Sequence, residues 1–255
     1  MADHPMRDEP TGALLSRYAT LYETPRFLEG DPSMFMHRVE GDANQEVMAL
    51  VASCLSYGRR TQFMPKIHSL LRLSGGDVAE WIASGRYASD VPDEPTRYYR
   101  LHTCHHLHSL LAALAVMLRR YGSVGAFVRG RHPADTLGAI EALIAFFAPY
   151  DTGSLMPLSS RSACKRLCMF MRWMVRDHSP VDLGIWSDII DKRTLIMPLD
   201  AHVMEQSRRL ALLPATASPS MSTALRLTGV MRRYFPDDPL RGDFALFGYG
   251  VDPSS

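Results

Sequence analysis

A lysine in the second half of this 255-residue sequence has the local setting of a nucleophile. Lys165 lies in the segment Arg161–Arg176, which carries five basic residues and no acidic one. If this segment is helical, Lys165 lies in the first turn, where backbone N–H groups and the positive end of the helix dipole attract anions. Burial and neighbouring arginine charges would favour the neutral amine that a nucleophile requires. The segment therefore predicts either a helix that faces phosphates or a solvated basic face.

Asp200 is the acidic residue that could act on such an amine. It follows Pro198 and lies at the predicted start of the next helix, thirty-five residues after Lys165. A carboxylate at this position caps its helix by accepting N–H hydrogen bonds. A capping carboxylate has a fixed position, so it can face a pocket at the same time. We expect Lys165 Nζ and the Asp200 carboxylate to lie within several ångströms of each other.

Helical periodicity separates an apolar side from a basic side within Arg161–Arg176. Arg172 follows Lys165 by seven residues and shares its side of the helix. The residues expected in the core are Leu167, Phe170, Met171 and Met174. The basic side is expected to flank one concave surface together with Arg59 and Arg60, which follow an earlier helix. The other interpretation of that earlier pair is a basic helix C-terminus that complements its own dipole.

Composition and charge limit the partners only weakly. The formal net charge is +1, which neither demands nor excludes a polyanion because a balanced total can hide a local basic surface. Among the 28 basic residues only Lys66, Lys165 and Lys192 are lysines, so this chain supplies generic positive charge as arginine. The longest apolar stretch, Leu110–Leu118, is shorter than the roughly 20 residues of a membrane span. The N-terminus has no signal-peptide core, and we expect a cytoplasmic protein without membrane contact.

Histidines and tyrosines between the basic segments allow two interpretations each. The four histidines are His102, His105, His106 and His108, and three of them would share a helix face that could seat zinc or nickel. Without acidic neighbours in the sequence, polar surface is the favoured interpretation, and no metal or other cofactor is assigned. Tyr98, Tyr99 and Arg100 are consistent with core packing or with base stacking, and core packing is favoured.

The elements that must position these residues are helices. The periodicity is helical along most of the chain, without sustained strand alternation, and it predicts an all-α fold. We expect one two-lobed domain over residues 1–255, with the site-bearing helices within 157–213. The predicted helices are Thr11–Tyr22, Ala43–Tyr57, Pro65–Arg72, Asp77–Ser84, Cys104–Tyr121, Ser123–Arg129, Pro133–Phe147, Arg161–Arg176, Leu199–Leu213, Met221–Tyr234 and Leu240–Phe247.

Four motifs resemble an uncharacterised bacterial family that carries a domain-of-unknown-function name. They are KRLCMFMRWMVR at 165–176, IMPLDAHV at 196–203, RRLALL at 208–213 and DFALFGYG at 243–250. The segment ANQEVMALVASCLSYGRR at 43–60 is similar to the N-terminal motif of that family. The resemblance covers most of the C-terminal part of the chain.

That family in turn resembles a remote branch of the helix-hairpin-helix DNA glycosylases, especially the archaeal 8-oxoguanine DNA glycosylases. In those enzymes a lysine early in one helix precedes a Pro-Val-Asp motif at a similar distance, so Lys165 matches the catalytic lysine and Asp200 the essential aspartate. The resemblance implies DNA repair by base excision. The damaged nucleotide is flipped from the duplex, Lys165 attacks C1′ of the sugar, and Asp200 activates the lysine and stabilises developing positive charge. A Schiff base would then permit strand cleavage.

The resemblance also implies contacts with DNA, the expected partner. The connection after Tyr57 matches the one that fills the gap left by a flipped base. The residues expected to contact nucleic acid are Arg59, Arg60, Gln62, Ser159, Ser160, Arg161, Arg166 and Arg172.

The sequence differs from the glycosylase pattern at three points. The glycine-rich hairpin is replaced by Pro157–Lys165, which has no glycine; the threonine after the aspartate is Ala201; and no cysteine run for an iron–sulfur cluster is present. Two alternatives to a glycosylase therefore stay open. One is a non-catalytic nucleic-acid-binding module that keeps the fold, and the other is a helical interaction protein without nucleic acid.

Overall fold

Twelve α-helices and one short hairpin form residues 10–251, the part of the chain that this computed structural model describes. The helices are α1 (Thr11–Tyr22), α2 (Asp42–Leu55), α3 (Arg60–Leu73), α4 (Val78–Ala83), α5 (Tyr87–Asp90), α6 (Cys104–Tyr121), α7 (Val124–Arg129), α8 (Thr136–Phe147), α9 (Lys165–Val175), α10 (Ala201–Arg209), α11 (Met221–Tyr234) and α12 (Arg241–Val251). The strands β1 (Arg97–Tyr99) and β2 (His102–Thr103) pair antiparallel. Short 3₁₀ helices span Pro25–Leu28, Pro32–Arg38 and Lys192–Thr194. The predicted all-α class is confirmed.

Helix α2 is central to the fold. Its residues from Glu46 to Leu55 are all buried, and apart from Glu46 and Ser53 this stretch is apolar. It packs against the 3₁₀ helix Pro32–Arg38, α9, α3, α4 and α7. Burial on every side requires neighbours on every side, so α2 fixes the position of α9, which carries Lys165.

Helix α1 packs along α12, and α12 also packs against α10. Leu14, Leu15 and Tyr18 lie on the buried face of α1. The ring of Tyr18 meets that of Tyr249 edge to face, with 5.7 Å between the ring centroids. Helices α1, α12 and α10 therefore form one apolar layer. Asp200 lies at the N-terminus of α10, on the side of this layer that faces α9.

A buried network of charged side chains links α9, which packs on α2, to the layer formed by α1, α10 and α12. Arg176, at the end of α9, is 2% exposed and forms ion pairs with Glu23, Asp182 and Asp238. Arg172 Nε lies 3.1 Å from Asp182 Oδ1. Each arginine is therefore matched by several carboxylates, as removal of a charge from water requires. The network ties α9 to the end of α1 and to the segments before and within α12.

The structure differs from the sequence expectations in its short elements. Helix α3 begins at Arg60, five residues before the predicted start at Pro65. Helix α5 and strand β1 lie within Tyr87–Tyr99, which the sequence indicates as irregular, and β2 follows that segment. Residues 148–164, between α8 and α9, form turns and bends only, so no short hairpin joins these two helices. Within residues 10–251 no helix has the length and apolarity required to cross a bilayer.

Candidate functional site

The N-termini of α9 and α10 meet at a cavity of about 480 Å³. The two elements before α2 and the start of α3 form the opposite wall, and α12 closes one side. Residues that carry polar groups into the lining are Asp31, Ser56, Arg60, Ser162, Lys165, Arg166, Arg172, Asp200, His202 and Asp243. The volume falls within the roughly 300–1,000 Å³ typical of small-molecule sites. Among the described residues, this cavity unites the predicted lysine and aspartate with a dense set of charged groups.

Lys165 is the first residue of α9, at the cavity wall. The residue before it, Cys164, has a left-handed backbone with φ of 43°, and no side chain caps the helix. The first backbone N–H groups of α9 therefore remain beside the Lys165 ammonium as potential donors to an anion. Burial raises the pKa of the Cys164 thiol, so this neighbouring group stays protonated near neutral pH and does not compete as a nucleophile.

Asp200 uses its two carboxylate oxygens for different contacts. Oδ1 accepts a hydrogen bond of 2.7 Å from Val203 N, which makes Asp200 the N-cap of α10. Oδ2 lies 3.6 Å from Lys165 Nζ, and the two side chains are 39% and 37% exposed. The expected proximity is found, and capping holds the carboxylate in place. The pair is open enough for a ligand to reach both groups.

The floor of the cavity is more acidic than the sequence suggested. Asp243, on α12, is buried and contacts the Arg172 guanidinium. Burial raises the pKa of Asp243 to about 6, the positive charge of Arg172 opposes this rise, and the negative charge of Asp200 adds to it. Near neutral pH the site therefore contains a carboxyl group that can exchange a proton with a ligand.

We expect the carboxyl carbon of Asp243 to titrate with a midpoint near pH 6, measured by ¹³C NMR. Asp200→Asn removes a negative charge that raises this pKa, so the midpoint should move to lower pH in that variant. Because the folded-state pKa is raised, the contribution of Asp243 to stability is present at low pH and is lost as the pH rises through about 6. An unchanged midpoint in Asp200→Asn would show that the two carboxyl groups do not interact.

Arg172 requires a correction. It was predicted to contact nucleic acid, but its side chain is 4% exposed and forms ion pairs with Asp182 and Asp243. The side of α9 that it shares with Lys165 runs from the cavity into the charged core, so Arg172 supports the cavity floor and does not present a free cation to a phosphate. The four predicted core residues of α9, by contrast, are confirmed as buried.

The other predicted arginines near the cavity are also partly engaged. Arg166 donates to the carbonyl oxygens of Cys54, at 2.7 Å, and Ser154, which ties α9 to the end of α2. Arg60 Nη2 lies 3.3 Å from Asp31 Oδ2, and half of the Arg60 side chain is exposed. Of these two, Arg60 presents the more accessible charge at the cavity rim.

The remaining predicted contact residues lie outside the cavity lining. Ser159 and Arg161 are exposed in the connection before α9, while the Ser160 hydroxyl donates to Glu141 at 2.8 Å. Arg59 and Gln62 are exposed at the start of α3 and line a separate trough. The predicted basic residues thus divide between the cavity and the trough, except for Arg161, which lines neither.

Several residues of the cavity lining were not predicted from the sequence. Among them are Phe27, Asp31, His202, Asp243 and Phe247. Three of these lie within motifs that were recognised, since His202 belongs to IMPLDAHV and Asp243 and Phe247 belong to DFALFGYG. Asp31 precedes a proline and caps the 3₁₀ helix that begins at Pro32. The sequence signal that could have indicated this part of the site is Asp243, an acidic residue within a motif rich in aromatic residues.

The histidines of the cluster make separate contacts. Within residues 10–251 no group of three or more histidine, cysteine, aspartate or glutamate side chains has a metal-binding arrangement. His102 is buried, whereas His105 Nδ1 contacts Asp93 at 2.5 Å and His105 Nε2 lies 3.4 Å from Asp151. The hydrogen bond and negative charge of Asp93 raise the pKa of His105. These contacts join α6 to its flanking loops.

Comparison with known proteins identifies a family. A family model described as "Protein of unknown function (DUF2400)" matches residues 31–252. The match includes the cavity and both elements of the lysine–aspartate pair. Neither the curated proteins nor the solved structures contain a match to this chain.

Proposed function

The chain belongs to the DUF2400 family, and we propose that it is a DNA glycosylase that removes a damaged base, with Lys165 as nucleophile and Asp200 as the activating carboxylate. The observation that carries this proposal is the approach of Lys165 Nζ to 3.6 Å from Asp200 Oδ2 at the mouth of a cavity. An amine beside a fixed carboxylate is the arrangement that covalent catalysis by lysine needs.

The proposed reaction begins with a proton transfer. Asp200 accepts a proton from the Lys165 ammonium, directly or through a water molecule, and the amine attacks C1′ of the flipped nucleotide. A bond forms between Nζ and C1′ as the bond between C1′ and the base breaks, and the departing base takes the electron pair and the proton that Asp200 had accepted. Opening of the sugar ring then gives a protonated Schiff base, from which elimination of the 3′ phosphate would cleave the strand.

The lining of the cavity supports a heterocyclic base as the ligand. Phe27 and Phe247 supply apolar ring surface, and Asp31, His202 and Asp243 supply polar groups that can bind the edge of a base. A flipped base needs both kinds of contact because it loses its stacking and pairing partners together. The uncapped start of α9 supplies N–H groups for the adjoining phosphate.

Borohydride trapping tests the proposal. Wild-type protein is incubated with duplexes that contain 8-oxoguanine, uracil, an alkylated base or an abasic site, and borohydride is then added to reduce any imine to a stable amine. A covalent protein–DNA complex is expected with at least one duplex. The chain has only three lysines, so peptide mapping of the adduct distinguishes Lys165 from Lys66 and Lys192 directly.

A non-catalytic DNA-binding module is the second candidate, and the irregular connection over residues 148–164 favours it. That connection lacks the short glycine-rich turn through which the resembling glycosylases approach a phosphate. Salt-dependent DNA binding without an adduct on any duplex would support this candidate and contradict the glycosylase. Absence of DNA binding would contradict both.

Asp200→Asn is expected to lower base excision about 100-fold or more while DNA affinity changes little. Asparagine keeps the helix cap, so the loss would report the missing charge and not an unfolded α10. Asp135→Asn is the matched control, because Asp135 caps α8 through a hydrogen bond of 2.9 Å from Gly138 N and lies outside the cavity lining. Single-turnover rates on the most reactive duplex measure the effect, and equal rates for both variants would remove Asp200 from the mechanism.

A further inference from the structure

A second concave surface lies beside the cavity, between α3 and the β1–β2 hairpin. Its concavity measures about 890 Å³. Its lining residues, which we call the hairpin trough, are Arg59, Gln62, Lys66, Arg97, Tyr98, Tyr99, Arg100 and Leu101. The trough contains four cations and no acidic side chain, so it is complementary to a polyanion.

Two of the four cations of the trough contact aromatic rings. Lys66 Nζ lies 4.8 Å from the ring centroid of Tyr98, and the Arg100 guanidinium lies 5.0 Å from that of Tyr57. In the part of the chain from residue 10 to 251, none of the four cations forms an ion pair. Cation–π contacts orient a charge without neutralising it, so the full charge stays available to a ligand.

The trough and the cavity are separated by the backbone of Tyr57 and Gly58. Tyr57 and Gly58 line the cavity, and the Tyr99 hydroxyl donates to the Tyr57 carbonyl oxygen. Gly58 has φ of 88°, and a Cβ atom there would overlap the Arg100 guanidinium. Only glycine therefore allows the hairpin to approach the cavity rim so closely. A strand that places one nucleotide in the cavity would continue directly into the trough.

The hairpin tip carries an apolar side chain that the protein does not cover. Leu101 is 71% exposed, and Arg100 before it has φ of 50°, in the left-handed region that arginine rarely adopts. Backbone strain of this kind is concentrated at functional sites in proteins. An exposed leucine among cations suits an unpaired nucleotide. The face of its base is apolar and can pack against the leucine, and the backbone phosphates on either side of it can contact the cations.

We infer that the hairpin trough binds an unpaired stretch of the DNA strand next to the flipped nucleotide. The four cations contact its phosphates, and Leu101 packs against a base. This inference rests on the proposed function and adds a substrate class to it, because a fully paired duplex hides the base faces that Leu101 would contact. The expected substrate is damaged DNA with about four unpaired nucleotides beside the lesion.

Fluorescence anisotropy with an abasic-site analogue tests this inference. Wild-type protein should bind a duplex with unpaired nucleotides beside the analogue about tenfold more tightly than the fully paired duplex. Leu101→Ser should remove this preference. Arg97→Gln combined with Arg100→Gln should also reduce the slope of log affinity against log salt by roughly 2, about one per lost phosphate contact.

The matched controls are exposed residues on α11, namely Leu225→Ser and the pair Arg226→Gln with Arg233→Gln. Both controls should retain the preference and the salt slope. Wild-type protein without the preference, or trough variants that behave as the controls do, would overturn the inference. An adduct trapped by borohydride in that case would leave the proposed function intact, whereas trough-dependent binding without any adduct would contradict the glycosylase alone.

Discussion

Lys165→Arg is expected to abolish the borohydride-trapped adduct and to lower base excision by roughly 1,000-fold or more. A guanidinium stays protonated near neutral pH and has no lone pair to attack C1′. Its positive charge is preserved beside Asp200, so DNA affinity should stay within about threefold of wild type. Gel shift of the trapped complex measures the chemistry, and anisotropy on an uncleaved analogue measures the binding.

The other two lysines provide the controls. Lys192 Nζ forms an ion pair of 2.6 Å with Asp177, and arginine can keep that pair. Lys66 lies in the hairpin trough, where arginine can keep the contact with Tyr98. Lys192→Arg and Lys66→Arg should therefore retain the adduct. Trapping that survives in Lys165→Arg and is lost in either control would assign the nucleophile elsewhere.

Arg176→Met is expected to lower the free energy of unfolding by about 3–5 kcal/mol. The substitution keeps much of the side-chain volume but leaves Asp238 without its partner and removes one of the two arginines that contact Asp182. The Asp238 side chain is only 16% exposed, so its carboxylate would lose a partner in a largely desolvated place, and Asp182 is fully buried. Denaturant unfolding followed by tryptophan fluorescence measures the loss.

Two further variants test whether the loss of stability in Arg176→Met comes from the buried ion pairs of Arg176 or from the replacement of any arginine by methionine. Arg233→Met changes an exposed arginine on α11 and should alter stability by less than about 0.5 kcal/mol. Arg176→Lys keeps the charge but cannot make the hydrogen bonds that the planar guanidinium makes to several carboxylates, so its effect should be intermediate. A loss below about 1 kcal/mol in Arg176→Met would show that the network is solvated and replaceable.

The long helices were predictable because their periodicity is repeated over several turns. The bounds of α1, α6 and α11 agree with the expected ranges. The hairpin was missed because strands of three and two residues are too short to show alternation. The predicted range of α3 is too short because a proline is typical of the first turn of a helix. Pro65 instead lies inside α3, where it removes a single N–H donor.

The candidate site was predictable only in its local part. Asp200 lies at a helix N-terminus, which its residue type and the nearby Pro198 indicate. Lys165 is the first residue of α9, which begins four residues after the predicted start at Arg161. The error at Arg172 arose because its two carboxylate partners, Asp182 and Asp243, come from segments that only the tertiary structure brings to α9. Periodicity tells which side of a helix carries charge, but it does not tell whether that side meets water or acid.

The packing of α1 along α12 has a consequence for the order of events during synthesis. The ribosome makes α12 after every other described helix, and until then the buried face of α1, which carries Leu14, Leu15 and Tyr18, lacks the helix along which α1 packs. The same late helix brings Asp243 and Phe247 to the cavity. A nascent chain therefore holds Lys165 and Asp200 before it has the wall that encloses them. Contacts between distant parts of a chain also slow folding, so we expect the cavity wall to be completed only after α12 has been synthesised.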